Sequence, residues 1–303
     1  MAASTNPQLS EQYDTITDAY AVRYSPDGSV NPSYPIAEVE EYQLRLATLS
    51  QPVNGLEGKR ILDLACGNGN YSRKYLRWGA ESVVGVDVSK GMLDTANAYA
   101  HQNQLDHELN YVLGDATDET LSIEGGPFDV IVACWLLNYA PDVEAMIKMY
   151  RTAGRHLKVG GSFVGLTIPP LLSDLPAERE TLNNVLSLDG ACGKYGNAGK
   201  VIAPTESGDG YRVLVELGLR NEGHRIASFE CCYLQNTAFE KACKDSGMFN
   251  GLEWREFVVP HSAKKGRPVG YWNELMLSPN CRVCVATRVR VEGEDLSPDG
   301  ISL

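Results

Sequence analysis

Short apolar runs alternate with amphipathic stretches through the middle of the chain. The runs are rich in β-branched side chains, which is typical of buried strands, whereas the stretches between them have the spacing of helices. Strands are expected over residues 60–66, 82–88, 109–113, 128–134 and 162–168, and helices over 71–78, 90–103 and 142–157. Strands that alternate with helices favour an α/β fold with a doubly wound, mostly parallel sheet.

The segments on either side of this core have a different pattern. The first part of the chain contains two helical stretches, about 9–24 and 36–50, separated by a turn rich in proline and glycine. Pro169 and Pro170 then begin a loop-rich insertion, and the alternating stretches 211–217 and 224–234 predict a hairpin within it.

The last part of the chain is expected to complete the sheet. A helix over 237–246 precedes late strands over 252–259 and 283–291, which are joined by a loop. The last strand is therefore expected to be antiparallel, and the strands number seven with the five above. We divide a single domain, 1–303, into a helical cap (1–55), a core (56–168), a loop and hairpin insertion (169–235) and the completion of the sheet (236–291).

Composition and charge restrict the partners. The chain has 27 basic and 39 acidic residues and a net charge of −12, which argues against a surface that tracks a phosphate backbone. No basic, apolar leader opens the sequence and no apolar run is long enough for a membrane span, so we expect a cytoplasmic protein that binds neither nucleic acid nor membrane. The eight cysteines are scattered, which favours reduced thiols over a disulfide framework.

The strongest chemical signal lies where the first strand turns into a helix. Gly67 and Gly69 allow the backbone to approach a ligand closely there, because they carry no Cβ. Asp87 ends the second strand, where an acid in a doubly wound sheet accepts hydrogen bonds from ribose hydroxyls. Two ligand classes fit these features: a dinucleotide or another adenosine compound.

The residues around the glycines favour the second class. A dinucleotide motif has glycine or alanine at its third small position, but this chain has Ser72. Asp63 lies on the strand before the glycines, and a carboxylate there would repel a pyrophosphate but attract an ammonium group. An adenosine that carries an amino-acid tail, S-adenosyl-L-methionine, matches both features.

Residues 58–168 resemble the class I S-adenosylmethionine-dependent methyltransferases. The resemblance rests on Asp63-x-Ala-x-Gly-x-Gly69, Gly85-Val-Asp87, Gly114-Asp-Ala116, the strand 128–134 and Leu157-Lys-Val-Gly-Gly161, in that order. It implies binding of S-adenosyl-L-methionine, with S-adenosyl-L-homocysteine as the product. The cofactor-binding residues that it implies are Asp63, Ala65, Cys66, Gly67, Asn68, Gly69, Asp87, Val88, Met92, Gly114, Asp115, Ala116, Cys134 and Trp135. We add Tyr24 of the cap as a further cofactor-binding candidate.

The substrate is expected to lie at the carboxyl ends of the strands, where open α/β sheets bind ligands. The cap and the insertion can cover that edge and exclude water. The candidate substrate-binding residues are Tyr13, Tyr20, Trp135, Asn138, Tyr139, Thr167, Tyr195, Tyr211 and Tyr233.

Methyl transfer from a sulfonium is an in-line displacement, so the main task is to align the accepting atom with the methyl carbon. A hydroxyl acceptor also needs a base, and His224 and His261 are the candidates. We expect no metal and a monomer or homodimer that acts on the O, N, S or C atom of a small molecule. A protein or RNA methyltransferase, or a fold repurposed for another reaction or for binding, is the alternative.

Overall fold

The fold was analysed in a computed structural model of the 303-residue chain. It describes residues 7–21, 34–171, 180, 182–184, 186, 194–195, 197–217 and 227–291.

A seven-stranded sheet forms the centre of the molecule, with the strand order β3-β2-β1-β4-β5-β10-β9. Its strands are β1 (Arg60–Leu64), β2 (Ser82–Asp87), β3 (Leu109–Leu113), β4 (Phe128–Cys134), β5 (Leu157–Thr167), β9 (Glu253–Trp254) and β10 (Arg282–Thr287). The first five strands pair in parallel, and β10 is antiparallel to β5 and to β9. This topology confirms the α/β fold with an antiparallel last strand.

The helices cover both faces of this sheet. They are α1 (Pro7–Ala21), α2 (Pro35–Leu49), α3 (Asn70–Arg77), α4 (Lys90–Gln102), α5 (Val143–His156), α6 (Asn236–Asp245), α7 (His261–Lys264) and α8 (Asn273–Leu277). Ser89 caps α4 by accepting the Met92 N–H at 3.1 Å, and Asp142 caps α5 by accepting the Ala145 N–H at 2.8 Å. Among the described residues, no helix is long and apolar enough to cross a bilayer.

Alternation along the strands divides the core into two layers. Leu62 and Leu64 of β1 pack with α5 and α6 on one face, whereas Ile61 packs with Tyr71 and Tyr75 of α3 on the other. A third apolar cluster joins α2 to the insertion and to the segment around α8, so these outer parts share buried side chains.

The insertion contains a sheet of its own. β6 (Asn197–Pro204), β7 (Gly210–Leu217) and β8 (Ala227–Leu234) form a three-stranded antiparallel sheet in which Tyr211 pairs with Tyr233. The β7–β8 pair is the hairpin that the sequence predicts, although its turn lies outside the described residues. The expectation of a loop up to about residue 210 is wrong, because β6 pairs with β7 from Asn197 to Pro204, with one irregularity between Val201 and Ala203.

Two other boundaries differ from the sequence expectation. β9 has only two residues instead of the expected 252–259. β5 begins at Leu157, so the glycine-rich turn that follows α5 belongs to the strand, with an irregular register opposite Phe128 and Val130.

Candidate functional site

A cavity of about 310 Å³ opens at the carboxyl ends of β1, β2, β3 and β4. The strand order reverses between β1 and β4, which is the position where doubly wound sheets bind ligands. Of the candidate cofactor residues, those on its wall are Ala65, Gly67, Asp87, Val88, Met92, Gly114, Asp115, Ala116, Cys134 and Trp135. The structure therefore brings ten residues from four strand ends to one cavity.

The loop after β1 has the backbone that a close ligand approach requires. Ala65, Gly67 and Gly69 have φ angles of 64°, 55° and 73°, in the left-handed region that favours glycine. A Cβ built on Gly67 would meet no atom within 4 Å, so the loop is open to the cavity at that position. A Cβ on Gly69 would lie 2.3 Å from the Tyr111 hydroxyl, so this glycine is required by packing.

Asp87 ties this loop to the start of α4. Its Oδ2 accepts the Gly67 N–H at 2.7 Å and its Oδ1 accepts the Ser89 N–H at 2.9 Å. The residue is 9% exposed, and burial raises the pKa of the carboxyl while the backbone N–H groups oppose that shift. Each carboxylate oxygen has two lone pairs, so Asp87 keeps acceptor capacity on the cavity side.

Asp63 lies beneath the loop and does not line the cavity. It is fully buried, and the Ser72 hydroxyl donates to its Oδ2 at 2.6 Å. Burial raises the pKa of Asp63 to about 7, against the lowering effect of the Ser72 hydrogen bond. Cys66, Asn68 and Gly69 also lie off the cavity wall.

The opposite end of the cavity is formed by the segment after β3. Asp115 is 9% exposed, and its Oδ1 accepts hydrogen bonds from the Thr117 N–H at 2.8 Å and from the Thr117 hydroxyl at 2.7 Å. Met92 and Ala116 supply apolar surface next to it. An apolar slot with one carboxylate at its edge suits a flat heterocycle that carries an amino group.

A second, smaller cavity of about 60 Å³ adjoins the first. Tyr13, Trp135 and Tyr139 line both cavities, so these three side chains mark the junction. The hydroxyls of Tyr13 and Tyr139 are hydrogen-bonded to each other. Trp135 has a φ of 62°, which is an uncommon backbone conformation for a bulky residue. Its backbone N–H donates to the Leu166 carbonyl at 2.7 Å.

Residues 61–161 match a family model described as a methyltransferase domain. The chain contains a class I S-adenosylmethionine-dependent methyltransferase domain. The matched segment begins on β1 and ends on β5, and it supplies the loops after β1, β2, β3 and β4 that line the larger cavity.

Curated relatives match a segment longer than the methyltransferase domain itself. A ubiquinone biosynthesis O-methyltransferase of Coxiella burnetii (strain Dugway 5J108-111) is 34% identical over 145 residues, which cover 48% of this chain and 56% of the relative. The protein of the same name from Alkalilimnicola ehrlichii is 33% identical over 153 residues, which cover 50% of this chain and 57% of the relative. The chain thus spans little more than half the length of the curated relatives it matches.

Solved structures extend the fold likeness to most of the chain. The CcbJ methyltransferase from Streptomyces caelestis has a TM-score of 0.54 at 18% identity and covers 93% of this chain and 98% of its own. An S-adenosylmethionine-dependent methyltransferase from Mesorhizobium loti has a TM-score of 0.52 at 21% identity, covering 82% and 98%. At these identities the likeness is one of fold alone.

The candidate substrate residues are only partly brought together. Tyr13, Trp135, Asn138, Tyr139 and Tyr233 line the smaller cavity. Tyr195 lies elsewhere: its hydroxyl donates to the Tyr271 carbonyl at 2.8 Å and its ring stacks on Trp272. Thr167 and Tyr211 are buried but line neither cavity.

The two histidine candidates are not placed at the site. His261 is the first residue of α7. Its side chain is exposed and lines neither cavity, so the structure does not support it as the base. His224 and Tyr24 lie outside the described residues, as does the side chain of Tyr20.

Cys134 forms part of the wall of the larger cavity. It is 5% exposed and lies 3.4 Å from the Tyr75 hydroxyl. Burial raises the pKa of its thiol well above the usual value, so the sulfur is protonated and not nucleophilic.

Several wall residues were missed by the sequence analysis. Leu9 of α1 and Lys148 and Met149 of α5 line the larger cavity, and Glu40 and Asn280 line the smaller one. The helical spacing of Met149 and Glu40 is that of ordinary core or surface positions, and Asn280 stands alone before a strand. No local motif marks any of them.

Proposed function

We propose that this chain transfers the methyl group of S-adenosylmethionine to a hydroxyl oxygen of a small molecule. The observation that carries the proposal is the contact between two cavities at the carboxyl edge of the sheet, one walled by the Asp87-held glycine loop and the other by apolar side chains. The relatives named as O-methyltransferases support oxygen as the accepting atom.

The described residues fit the cofactor. The open position at Gly67 leaves room for the methionine part against the backbone, and the Asp87 carboxylate can accept the ribose hydroxyls. Val88, Met92 and Ala116 would enclose the adenine, with Asp115 accepting its amino group.

The cofactor supplies a methyl group on a positively charged sulfur, which makes the methyl carbon electrophilic. The chain has to bring the acceptor to that carbon in line with the bond that breaks, and to exclude water. Trp135, Tyr13 and Tyr139 surround the junction where the two bound molecules would meet. In this proposal the Tyr139 hydroxyl accepts a hydrogen bond from the acceptor hydroxyl and so orients its oxygen.

A carboxylate also lies in the wall of the smaller cavity. Glu40 of α2 is fully buried there. The smaller cavity therefore combines tyrosine hydroxyls and a carboxyl group with apolar side chains.

Transfer of an isotopic label tests this function. The full chain is incubated with S-adenosylmethionine whose methyl group is trideuterated, in the presence of a fractionated cell extract. We expect a small-molecule product that carries one trideuteromethyl group on oxygen, and no product with the Asp87→Ala variant. Label that enters only protein or RNA, or no labelled product in any fraction, would contradict the proposal.

A further inference from the structure

The smaller cavity has an apolar body. Its wall is built from the end of β5 and from the inner faces of β7 and β8, with Ile168, Val215, Leu217, Phe229 and Cys231 as the main contributors. Its volume of about 60 Å³ is several times the roughly 10–15 Å³ that one water molecule needs. The space suits one small ring.

Besides the tyrosines and Glu40, two buried amide side chains interrupt this apolar wall. Asn138 is 2% exposed and Asn280 is 8% exposed, and both line the cavity. Neither Oδ1 atom accepts a hydrogen bond from any residue that the structure describes. A buried acceptor without a donor is unfavourable, so a pair of them on one cavity wall points to a ligand that supplies donors.

The topology explains how residues so far apart in sequence reach one cavity. Asn138 lies in the 3-10 turn Leu137–Tyr139, just beyond the carboxyl end of β4. Asn280 precedes β10, which runs antiparallel to β5 and pairs Arg282 with Thr167. The start of β10 therefore lies at the same edge of the sheet as the carboxyl ends of β4 and β5.

We propose that Asn138 and Asn280 are specificity-determining residues that select acceptors with a hydrogen-bond donor on a single compact apolar ring. The inference rests on the proposed function in taking the smaller cavity as the acceptor site. An amide oxygen accepts from a hydroxyl or amino hydrogen and offers nothing to a methyl group of the same shape. Discrimination of this kind is strong, because the wrong ligand leaves the buried acceptors unpaired.

Phenol and toluene are matched probes for this selection, since they have nearly the same size and differ by one donor. We expect phenol to bind the full chain, saturated with S-adenosylhomocysteine, at least about 10-fold more tightly than toluene, as measured by ligand-observed NMR titration. An apolar cavity in which the asparagine side chains did not contact the ligand would prefer toluene, because toluene is the more hydrophobic probe. Equal affinity, a preference for toluene, or no binding of phenol would overturn the proposal.

Substitutions separate the two asparagines from the apolar wall. Asn138→Leu and Asn280→Leu should each weaken phenol about 10-fold and leave toluene bound as tightly or more tightly. Val215→Ala is the matched control on the apolar wall, and it should weaken both probes by the same factor. Retained toluene binding shows that a variant is folded, and a phenol preference that survives both asparagine substitutions would overturn the proposal.

The affinity for S-adenosylhomocysteine is read separately in the same samples. It should be unchanged in the asparagine variants, because neither residue lines the larger cavity. Failure of the chain to bind S-adenosylhomocysteine would sink the proposed function itself, whereas normal cofactor binding without phenol selection would sink only this inference.

Discussion

Asp87 has two tasks at the scale of single residues. It lines the larger cavity, and it joins the glycine loop to α4 through hydrogen bonds from the N–H groups of Gly67 and Ser89. Asp87→Ala removes the carboxylate from both tasks. We expect the affinity for S-adenosylhomocysteine to fall by about 1.5–3 kcal/mol, the range for hydrogen bonds to a charged group, as measured by calorimetric titration.

A control on the same helix tests whether the effect is local. Asp94 is an exposed residue of α4 that pairs with Lys90. Asp94→Ala should leave the affinity for S-adenosylhomocysteine within a few-fold of the original. An Asp87→Ala variant with full affinity would show that the ribose is not held at this carboxylate.

Asp63 makes stability depend on pH. Its pKa is raised from 3.8 to about 7 by burial, so between these values the folded chain holds a proton that the unfolded chain has lost. The contribution of Asp63 to stability therefore declines as the pH rises from about 4 to about 7. Asp63→Asn cannot titrate and still accepts the Ser72 hydroxyl.

Asp63→Asn should stabilise the fold, relative to the original chain, more at high pH than at low pH. We expect the free energy of unfolding of Asp63→Asn, relative to that of the original chain, to increase by about 1–3 kcal/mol from pH 5 to pH 8. Urea denaturation at both pH values measures it. A difference that does not change with pH would mean that Asp63 is already ionised in the folded chain at pH 5.

The sequence motif predicted residues that line the larger cavity, but it did not predict their backbone conformation. Asp87 and Gly67 were found because the motif spaces them across β1 and β2, which are adjacent in the sheet. The left-handed backbone of Ala65 and Trp135 was not foreseen, because neither residue type favours it and the surrounding strands impose it. Asn280 was missed because only the antiparallel return of β10 brings it to the site.

At the scale of elements, α1 bridges two parts of the molecule. Its Gln12 side chain forms a pair of hydrogen bonds with the backbone of Glu230 in β8, accepting the N–H at 2.8 Å and donating to the carbonyl at 3.4 Å. One turn on, Asp14 accepts the Ser89 hydroxyl at 2.6 Å and the Gly91 N–H at 2.9 Å at the start of α4. The helix thus spans from the insertion sheet to the cofactor-binding edge and brings Tyr13 to the junction of the cavities.

Loss of the Asp14 contacts should loosen α1. In Asp14→Ala we expect faster amide hydrogen exchange over residues 7–21 and a lower rate of methyl transfer, since Leu9 and Tyr13 close the cofactor cavity. Exchange followed by mass spectrometry measures the first effect. Thr15→Ala, at an exposed position of the same helix, is the matched control, and equal exchange in the two variants would contradict the bridging role.

The strand β6 shows why the insertion was harder to foresee than the core. Gly199 and Pro204 give its sequence the composition of a loop. In the structure a Cβ on Gly199 would lie 2.6 Å from the Leu214 carbonyl oxygen, so the glycine permits close pairing with β7. Pro204 stands at the end of the strand, where a missing N–H does least harm to the pairing.

At the scale of the whole molecule, both cavities lie at one edge because the parallel strands all end there. The matched segment 61–161 carries the local signals, and these predicted five strands and the loops that line the larger cavity. The smaller cavity, which we propose holds the acceptor, is built by α1, α2, β7, β8 and the segment before β10, which meet only after folding. Contacts between such distant segments leave no pattern in a short window of sequence, so this half of the site required the structure.

Calorimetric titration of the full chain with S-adenosylhomocysteine and, under the same conditions, with nicotinamide adenine dinucleotide tests the central claim most directly. The claim is that the glycine loop and Asp87 hold an adenosine with an amino-acid tail. The account predicts saturable heat with a stoichiometry near one for S-adenosylhomocysteine and no binding of the dinucleotide. Saturable binding of the dinucleotide without binding of S-adenosylhomocysteine would contradict it.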